Sequence, residues 1–160
     1  MVLAINQQAL KGFVENPVFL SVITSLFLAQ LLKTIIYLFR GKRKNPRDTL
    51  ETMIWRTGGM PSSHSSMVAA MAASVAFSEG IDSYLFVITL MLALIIIRDS
   101  LGVRRSSGIQ ARVLNSLGRH VSEKLKVDYH PVKEVNGHSP LEVAVGVLLG
   151  IFIAAAFHFL

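Results

Sequence analysis

Residues 17–39 have the sequence PVFLSVITSLFLAQLLKTIIYLF, an apolar run whose single charged side chain is Lys33. An α-helix of this length extends about 35 Å, whereas the hydrocarbon core of a bilayer is about 30 Å thick. The stretch therefore predicts a transmembrane helix, and it sets the fold class that we expect for the rest of the chain.

Three further apolar runs lie at residues 61–78, 83–97 and 140–160. The first is rich in Ala, Ser and Met, and small side chains of this kind allow helices to pack closely inside a bundle. A buried soluble core could account for one such run, but four runs in 160 residues are typical of a membrane protein. We predict an all-α fold: a polytopic membrane helix bundle of about four transmembrane helices, in one domain comprising residues 1–160.

The composition supports the same class. Hydrophobic residues make up 52% of the chain and charged residues 16%, whereas soluble domains average about 25% charged. The 16 Lys and Arg against 10 Asp and Glu give a net charge of +6, which in a membrane protein indicates cytoplasmic loops that face anionic lipid. Nucleic-acid binding is disfavoured because few aromatic residues accompany the basic ones. The absence of cysteine excludes disulfides and thiolate chemistry.

The basic residues also predict the orientation in the membrane. They concentrate in the loops 40–60 and 98–139, whereas the turn 79–82 between the second and third spans carries acids and no bases. With four spans, both basic loops fall on one side, which the positive-inside rule makes cytoplasmic. We therefore expect a multi-pass protein of the cell membrane, with cytoplasmic basic loops and extracytoplasmic termini.

An amphipathic helix is predicted within the second basic loop, at residues 109–126. Its apolar side chains recur every four residues, which places them on one helix face, and basic side chains are available to lipid headgroups. We expect this helix to lie on the membrane surface. The apolar positions are Ile109, Val113, Leu117, Val121 and Leu125.

The segment Gly58–Ser66, GGMPSSHSS, carries the strongest chemical signal. A proline at the start of a helix, followed by Ser62 and Ser63, forms a helix N-terminus whose N–H groups and hydroxyls suit a phosphate. His64 beside it could transfer a proton near neutral pH. The alternative interpretation is that these residues only cap the helix.

Lys33 and Arg40 lie seven residues apart, so they share one helix face at a separation of about 10 Å. An ammonium inside a span is costly and usually marks a site. The alternative is that Lys33 extends its ammonium to the nearby interface and that Arg40 is an ordinary interfacial anchor.

Asp99, Arg104 and Arg105 lie where the third span ends. Adjacent guanidiniums beside a glycine can bind phosphate in bidentate fashion, and Asp99 could orient either one. Alternatively the arginines anchor the loop on the cytoplasmic side, and Asp99 pairs with Arg98.

His138 precedes the fourth span, and Glu142 follows four residues later. On one helix face the carboxylate could hold one imidazole nitrogen and leave the other as a nucleophile. The alternative is a capping box, Ser139-x-x-Glu142, in which the carboxylate bonds back to the Ser139 N–H. In the predicted topology all four clusters emerge at the cytoplasmic face, which favours one site over four unrelated caps and anchors.

These motifs resemble the type 2 phosphatidic acid phosphatase superfamily, which includes lipid phosphate phosphatases and vanadium haloperoxidases, and more closely its divergent branch of small membrane proteins. The superfamily pattern is K-x6-R-P, P-S-G-H and S-R-x5-H-x3-D. Lys33-x6-Arg40 matches the first element, with Gly41 in place of proline. The second matches at residues 61–64 with Ser63 for Gly, and the third at His138-x3-Glu142 with Glu for Asp.

One residue of the superfamily pattern is missing. The Arg six residues before the histidine is replaced by Val132, and Arg104 or Arg105 is the candidate substitute. The resemblance extends over residues 31–150, with GGMPSSHSS, DSLGVRRSSGIQARVLN and GHSPLEVAVGVLLG as the stretches closest to the divergent branch.

The resemblance implies a phosphatase that acts on a lipid phosphate or a polyprenyl (di)phosphate, with no metal or other cofactor. It implies that His138 attacks phosphorus, oriented by Glu142, and that His64 serves as acid and then base. Charge stabilisation is assigned to Lys33, Arg40, Ser62, Ser63, and Arg104 or Arg105 with Asp99. The alternative function is a non-catalytic protein that binds or transports anionic lipid through a retained phosphate site.

Overall fold

The computed structural model describes residues 7–39, 59–134 and 137–160, and the regular secondary structure of these segments is helical, with no strand among them. This confirms the all-α class. The described helices are α1 (Gln7–Val14), α2 (Pro17–Phe39), α3 (Ser63–Glu79), α4 (Tyr84–Leu101), α5 (Val103–Leu125) and α6 (Pro140–Phe159).

Three helical segments of the described chain are long and apolar enough to cross a membrane: α2, α4 with its continuation α5, and α6. The shorter α3 has 17 residues, rich in Ala and Ser, and it packs against α2, α4 and α6. The predicted number of about four spans is therefore approximate, with three helices that qualify by length and composition and α3 enclosed among them.

The packing of α3 against α6 depends on glycines that let two backbones touch. A Cβ added at Gly150 would collide with the carbonyl oxygen of Ser66, and one added at Gly146 would collide with the Ser62 backbone. At the same end of the bundle the Ser62 N–H donates to the Glu142 carbonyl over 3.0 Å. The starts of α3 and α6 are therefore fixed against each other.

Three helices differ in extent from the sequence prediction. Helix α3 begins at Ser63 with Ser62 as its N-cap, so Pro61 precedes the helix and does not occupy its first position. Helix α4 continues to Leu101, and α5 begins at Val103, so the amphipathic helix starts six residues before the predicted Ile109. Only Gly102 separates the two, and its N–H donates to the Arg98 carbonyl in place of a side-chain cap.

Among the described helices, α5 contacts α4 alone. Its apolar face is left uncovered, which is the arrangement expected of an amphipathic helix on a membrane surface. The exposed apolar side chains on it are Ile109, Val113, Leu117, Val121 and Leu125.

Candidate active site

His138 lies immediately before α6 and is 6% exposed. Its Nδ1 is 3.1 Å from the Glu142 Oε2, and its backbone N–H donates to the Ser100 carbonyl over 3.4 Å. A hydrogen bond from Nδ1–H to the carboxylate leaves the lone pair on Nε2. The ring is thus oriented by α6, and its backbone is tied to the end of α4.

The two interpretations of Glu142 are both realised, and by the same atom. Glu142 Oε2 contacts His138 Nδ1 and also accepts the Ser139 N–H over 3.0 Å, while the Glu142 N–H donates to Ser139 Oγ over 3.4 Å. The capping box therefore fixes the carboxylate that orients the histidine. A helix cap and a catalytic-type pair are not alternatives at this position.

Burial lowers the pKa of His138 below its usual value of 6.5, against the opposing effect of its hydrogen bond to Glu142. The positive charges of Lys33 and Arg104 lower the pKa further. The ring is therefore neutral near pH 7, as a nitrogen nucleophile requires.

Ser62 is the N-cap of α3 and is fully buried. Its Oγ accepts the Ser65 N–H over 3.4 Å and the Ser65 hydroxyl over 2.9 Å, and its own N–H is bonded to the Glu142 carbonyl. Ser62 thus performs the capping role that the sequence left open. Ser63 and His64 follow in the first turn, where helix N–H groups have no intrahelical acceptor.

His64 is exposed at the start of α3. It lies within electrostatic range of Arg104, His138, Lys33 and Asp99. The charges of four groups that are distant from His64 in the sequence therefore act on this imidazole, at the end of the bundle where α3 and α6 begin.

Lys33 is only 5% exposed, although it lies within an apolar span. Its side chain runs beside Gly59, where an added Cβ would lie 3.7 Å from the Lys33 Cγ. A lysine that extends its ammonium to the interface would be exposed, so this burial disfavours the snorkelling interpretation. Arg40, its predicted partner, lies outside the described residues.

The structure distinguishes the two adjacent arginines. Arg104 Nε is 2.6 Å from Asp99 Oδ2, its side chain is 42% exposed, and its charge acts on both His64 and His138. Arg105 is exposed, and its backbone instead lies against Gly137, where an added Cβ would collide with it. Asp99 could have paired with Arg98, Arg104 or Arg105, and in the structure it pairs with Arg104.

Two buried polar residues near the site were not singled out in the sequence. Ser100 is 3% exposed, its carbonyl accepts the His138 N–H, and its Oγ has no hydrogen-bond partner in the described structure. Asn115 is buried on α5 and binds the segment that leads to His138. No local pattern marks either residue, because both contacts join positions far apart in the chain.

In the described segments, no three His, Asp or Glu side chains are grouped so as to hold a metal ion.

The sequence profile of a known family, described as the Divergent PAP2 family, matches residues 14–153. The chain belongs to the Divergent PAP2 family. This confirms the resemblance inferred from the motifs. The chain is also 36% identical over 145 residues to YuiD, an uncharacterized membrane protein of Bacillus subtilis, with 84% of this chain and 89% of that protein covered. No solved structure is similar enough to count as a match.

Membership in the Divergent PAP2 family and the apolar helices together make the chain a membrane protein related to the PAP2 phosphatases. The matched region contains every residue of the candidate site, from Lys33 to Glu142. It also contains α5 and the segment that follows it.

Proposed function

We propose that the protein is a phosphatase that hydrolyses a lipid phosphate or diphosphate through a phosphohistidine at His138, at the cytoplasmic leaflet. The observation that carries the proposal is the buried His138, bonded through Nδ1 to Glu142 and within electrostatic range of Lys33 and Arg104. A neutral imidazole held in one orientation beside two cations suits attack on an anionic phosphate.

In the proposed reaction His138 Nε2 attacks the terminal phosphorus, and the bond from that phosphorus to the leaving oxygen breaks. The leaving oxygen is the lipid alkoxide oxygen of a monophosphate, or the bridging oxygen of a diphosphate, which departs as the lipid monophosphate. His64 gives its proton to the departing oxygen. His64 then removes a proton from water, which attacks the phosphohistidine and releases inorganic phosphate and free His138. Lys33 and Arg104 stabilise the negative charge on the equatorial oxygens, as do the N–H groups of Ser63 and His64 in the first turn of α3.

The direct test is phosphate release from a panel of phosphatidic acid, phosphatidylglycerol phosphate and a polyprenyl diphosphate. We expect purified wild type to hydrolyse at least one of them and His138→Ala to hydrolyse none. His120→Ala is a matched control, because His120 is exposed on α5 and, among the described residues, its ring is hydrogen-bonded to the carbonyl of Ser116 one turn earlier. Release that persists in His138→Ala would refute the mechanism.

The proposed leaflet depends on the orientation, which single cysteines can test because the natural chain has none. Ile81→Cys lies in the exposed turn between α3 and α4, and Lys133→Cys lies in the second basic loop. A membrane-impermeant thiol reagent added outside intact cells is expected to label Ile81→Cys and to spare Lys133→Cys. The reverse pattern would place the site at the outer leaflet.

One observation favours a second function, the binding or transport of anionic lipid without catalysis. The position at which the superfamily pattern has arginine is Val132, and both its N–H and its carbonyl bond to Asn115. The backbone at this position is used in a structural contact, and its side chain carries no positive charge for a phosphate. If the protein only binds lipid, Arg104→Ala abolishes binding to anionic vesicles, whereas His138→Ala and His64→Ala leave it unchanged.

A further inference from the structure

Residues 127–134 leave the end of α5 and run back along it without helical structure. Asn115, which is 4% exposed, holds them. Its Nδ2 donates to the Val132 carbonyl over 3.0 Å and to Glu134 Oε1 over 2.8 Å. Its Oδ1 accepts the Val132 N–H over 2.9 Å and the Tyr129 hydroxyl over 2.6 Å. All four hydrogen-bonding positions of the amide are therefore used within this one segment.

Two close contacts flank this amide. The Tyr129 ring lies directly on the backbone of Gly118, so that a Cβ added at Gly118 would overlap the ring. Near the other end of α5, Gly137 lies on the backbone of Arg105. Arg105 and Asn115 are ten residues apart, or about 15 Å along a helix. The chain between α5 and α6 therefore contacts α5 at two places, near Asn115 and at Arg105, that lie about 15 Å apart along the helix.

The position of α5 depends on this segment, because among the described helices α5 contacts only α4, to which Gly102 joins it. His138, in contrast, is held by Glu142 on α6 and by the Ser100 carbonyl. Neither of those contacts reaches the first turn of α5, where Arg104 is located and where its ion pair with Asp99 on α4 is a side-chain contact within the same pair of helices. The contacts that join α5 to the chain just before His138 are those made by Asn115, Gly118 and Arg105.

Only a short piece of chain joins Glu134, which is bonded to α5, to His138 at the start of α6. His138 follows Glu134 by four residues, and four residues extend at most about 14 Å. Fixing Glu134 on α5 therefore limits how far the start of α6 and the start of α5 can separate.

We propose that Asn115 is a positioning residue: by binding residues 129–134 it holds α5 so that Arg104 faces His138. The inference rests on the proposed function, since it assigns to Arg104 a role in stabilising the transferred phosphate. Asn115 itself does not touch substrate.

The variant Asn115→Asp tests this with little change in volume. It keeps the acceptor for Tyr129 and Val132, but it loses both N–H donors and sets a second carboxylate against Glu134. Adding Glu134→Gln restores a donor toward position 115, because the new amide can donate to the new carboxylate. Ser116→Asp is the matched control, since it adds the same charge at the neighbouring exposed position of α5.

We expect kcat for phosphate release to fall ~10- to 100-fold in Asn115→Asp, because small displacements of a charge-stabilising group have effects of this size. KM is expected to change less, and the double variant should recover most of the loss. Ser116→Asp should behave as wild type. If Asn115→Asp keeps the wild-type kcat, or if the double variant recovers nothing, the positioning role is refuted.

A distance measurement separates this inference from the proposed function. Spin labels at Glu123→Cys on α5 and Leu148→Cys on α6 report the position of one helix relative to the other, and both sites are exposed. We expect a narrow distance distribution in the labelled parent, a broad one with Asn115→Asp and a narrow one again with Glu134→Gln added. An unchanged distribution in Asn115→Asp overturns the positioning role even if no substrate is ever hydrolysed.

Tyr129→Phe supplies a milder variant in case Asn115→Asp does not fold. It removes one hydrogen bond to the same amide and leaves the ring on Gly118 in place. The same changes in kcat and in the distance distribution are expected with smaller size, and their absence counts against the proposal. If wild type hydrolyses no member of the panel, the proposed function fails and the distance distributions alone decide the role of Asn115.

Discussion

The contact between α3 and α6 and the attachment of α5 are two opposite ways of holding a side chain at the candidate site. Between α3 and α6, glycines bring backbones into contact, and the buried Ser62 N–H bonds to the other helix. Helix α5 has an exposed apolar face and is held by polar contacts to the segment after it. His64, His138 and Glu142 therefore lie at the close-packed contact between α3 and α6. Arg104 lies on α5, whose position depends on hydrogen bonds.

The largest effect is expected from removing the charge of Arg104 on α5. Arg104→Ala should lower kcat ~10²- to 10³-fold, the range found when a group that stabilises transition-state charge is lost. Its melting temperature should stay near that of wild type, because the side chain is half-exposed. Arg105→Ala is the matched control, since its exposed side chain is dispensable if only its backbone contacts Gly137. Equal losses in the two variants would remove the distinction between the arginines.

A single added methyl group is expected to disrupt the contact between α3 and α6. Gly150→Ala places a Cβ against the Ser66 carbonyl and the Ala70 N–H, and overpacking of this kind lowers the free energy of unfolding by about 1–3 kcal/mol. Gly12→Ala on α1 is the control, because nothing lies within 4 Å of its added Cβ. Thermal unfolding in detergent measures both. A Gly150→Ala protein as stable as Gly12→Ala would show that the helix contact tolerates separation.

The two roles of Glu142 can be separated by two variants. Ser139→Ala removes the side-chain cap and should lower stability by about 1 kcal/mol while it leaves His138 bonded to the carboxylate. Glu142→Gln keeps an acceptor for the Ser139 N–H but removes the charge that orients His138, so it should lower kcat with little change in melting temperature. Parallel measurement of kcat and thermal unfolding tests this, and a pattern exchanged between the two variants would contradict it.

The smallest expected effects are shifts of the acid side of the pH–rate profile. Burial lowers the pKa of His138, so the neutral nucleophile persists, and the rate should decline only below pH 6.5. Glu142 raises this pKa and Arg104 lowers it. The decline should therefore move to lower pH in Glu142→Gln and to higher pH in Arg104→Ala, as measured from kcat/KM over pH 5–8. Shifts in the same direction in both variants would contradict the assignment to His138.

The sequence predicted the helices well because hydropathy and periodicity are local properties. The apolar run 17–39 coincides with α2, and the four-residue spacing from Ile109 to Leu125 matches the exposed face of α5. The start of α5 was missed by six residues, since Val103–Gly108 lacks the apolar period and becomes helical as a continuation of α4.

The sequence also determined which residue types are available for phosphate chemistry: two histidines, a carboxylate four residues after one of them, and a lysine within a span. Their spacing is a property of single helices, so it could be evaluated without a fold. The profile match to the Divergent PAP2 family agrees with the pattern found there.

Only the tertiary structure decided between the interpretations that the spacing left open. It paired Asp99 with Arg104, used the Ser62 N–H to join α3 to α6, and gave one oxygen of Glu142 both of its proposed contacts. It alone revealed Asn115, whose partners lie 14 to 19 residues further along the chain. The physical reason is that these hydrogen bonds and close approaches join separate elements, so their geometry exists only once the helices have packed.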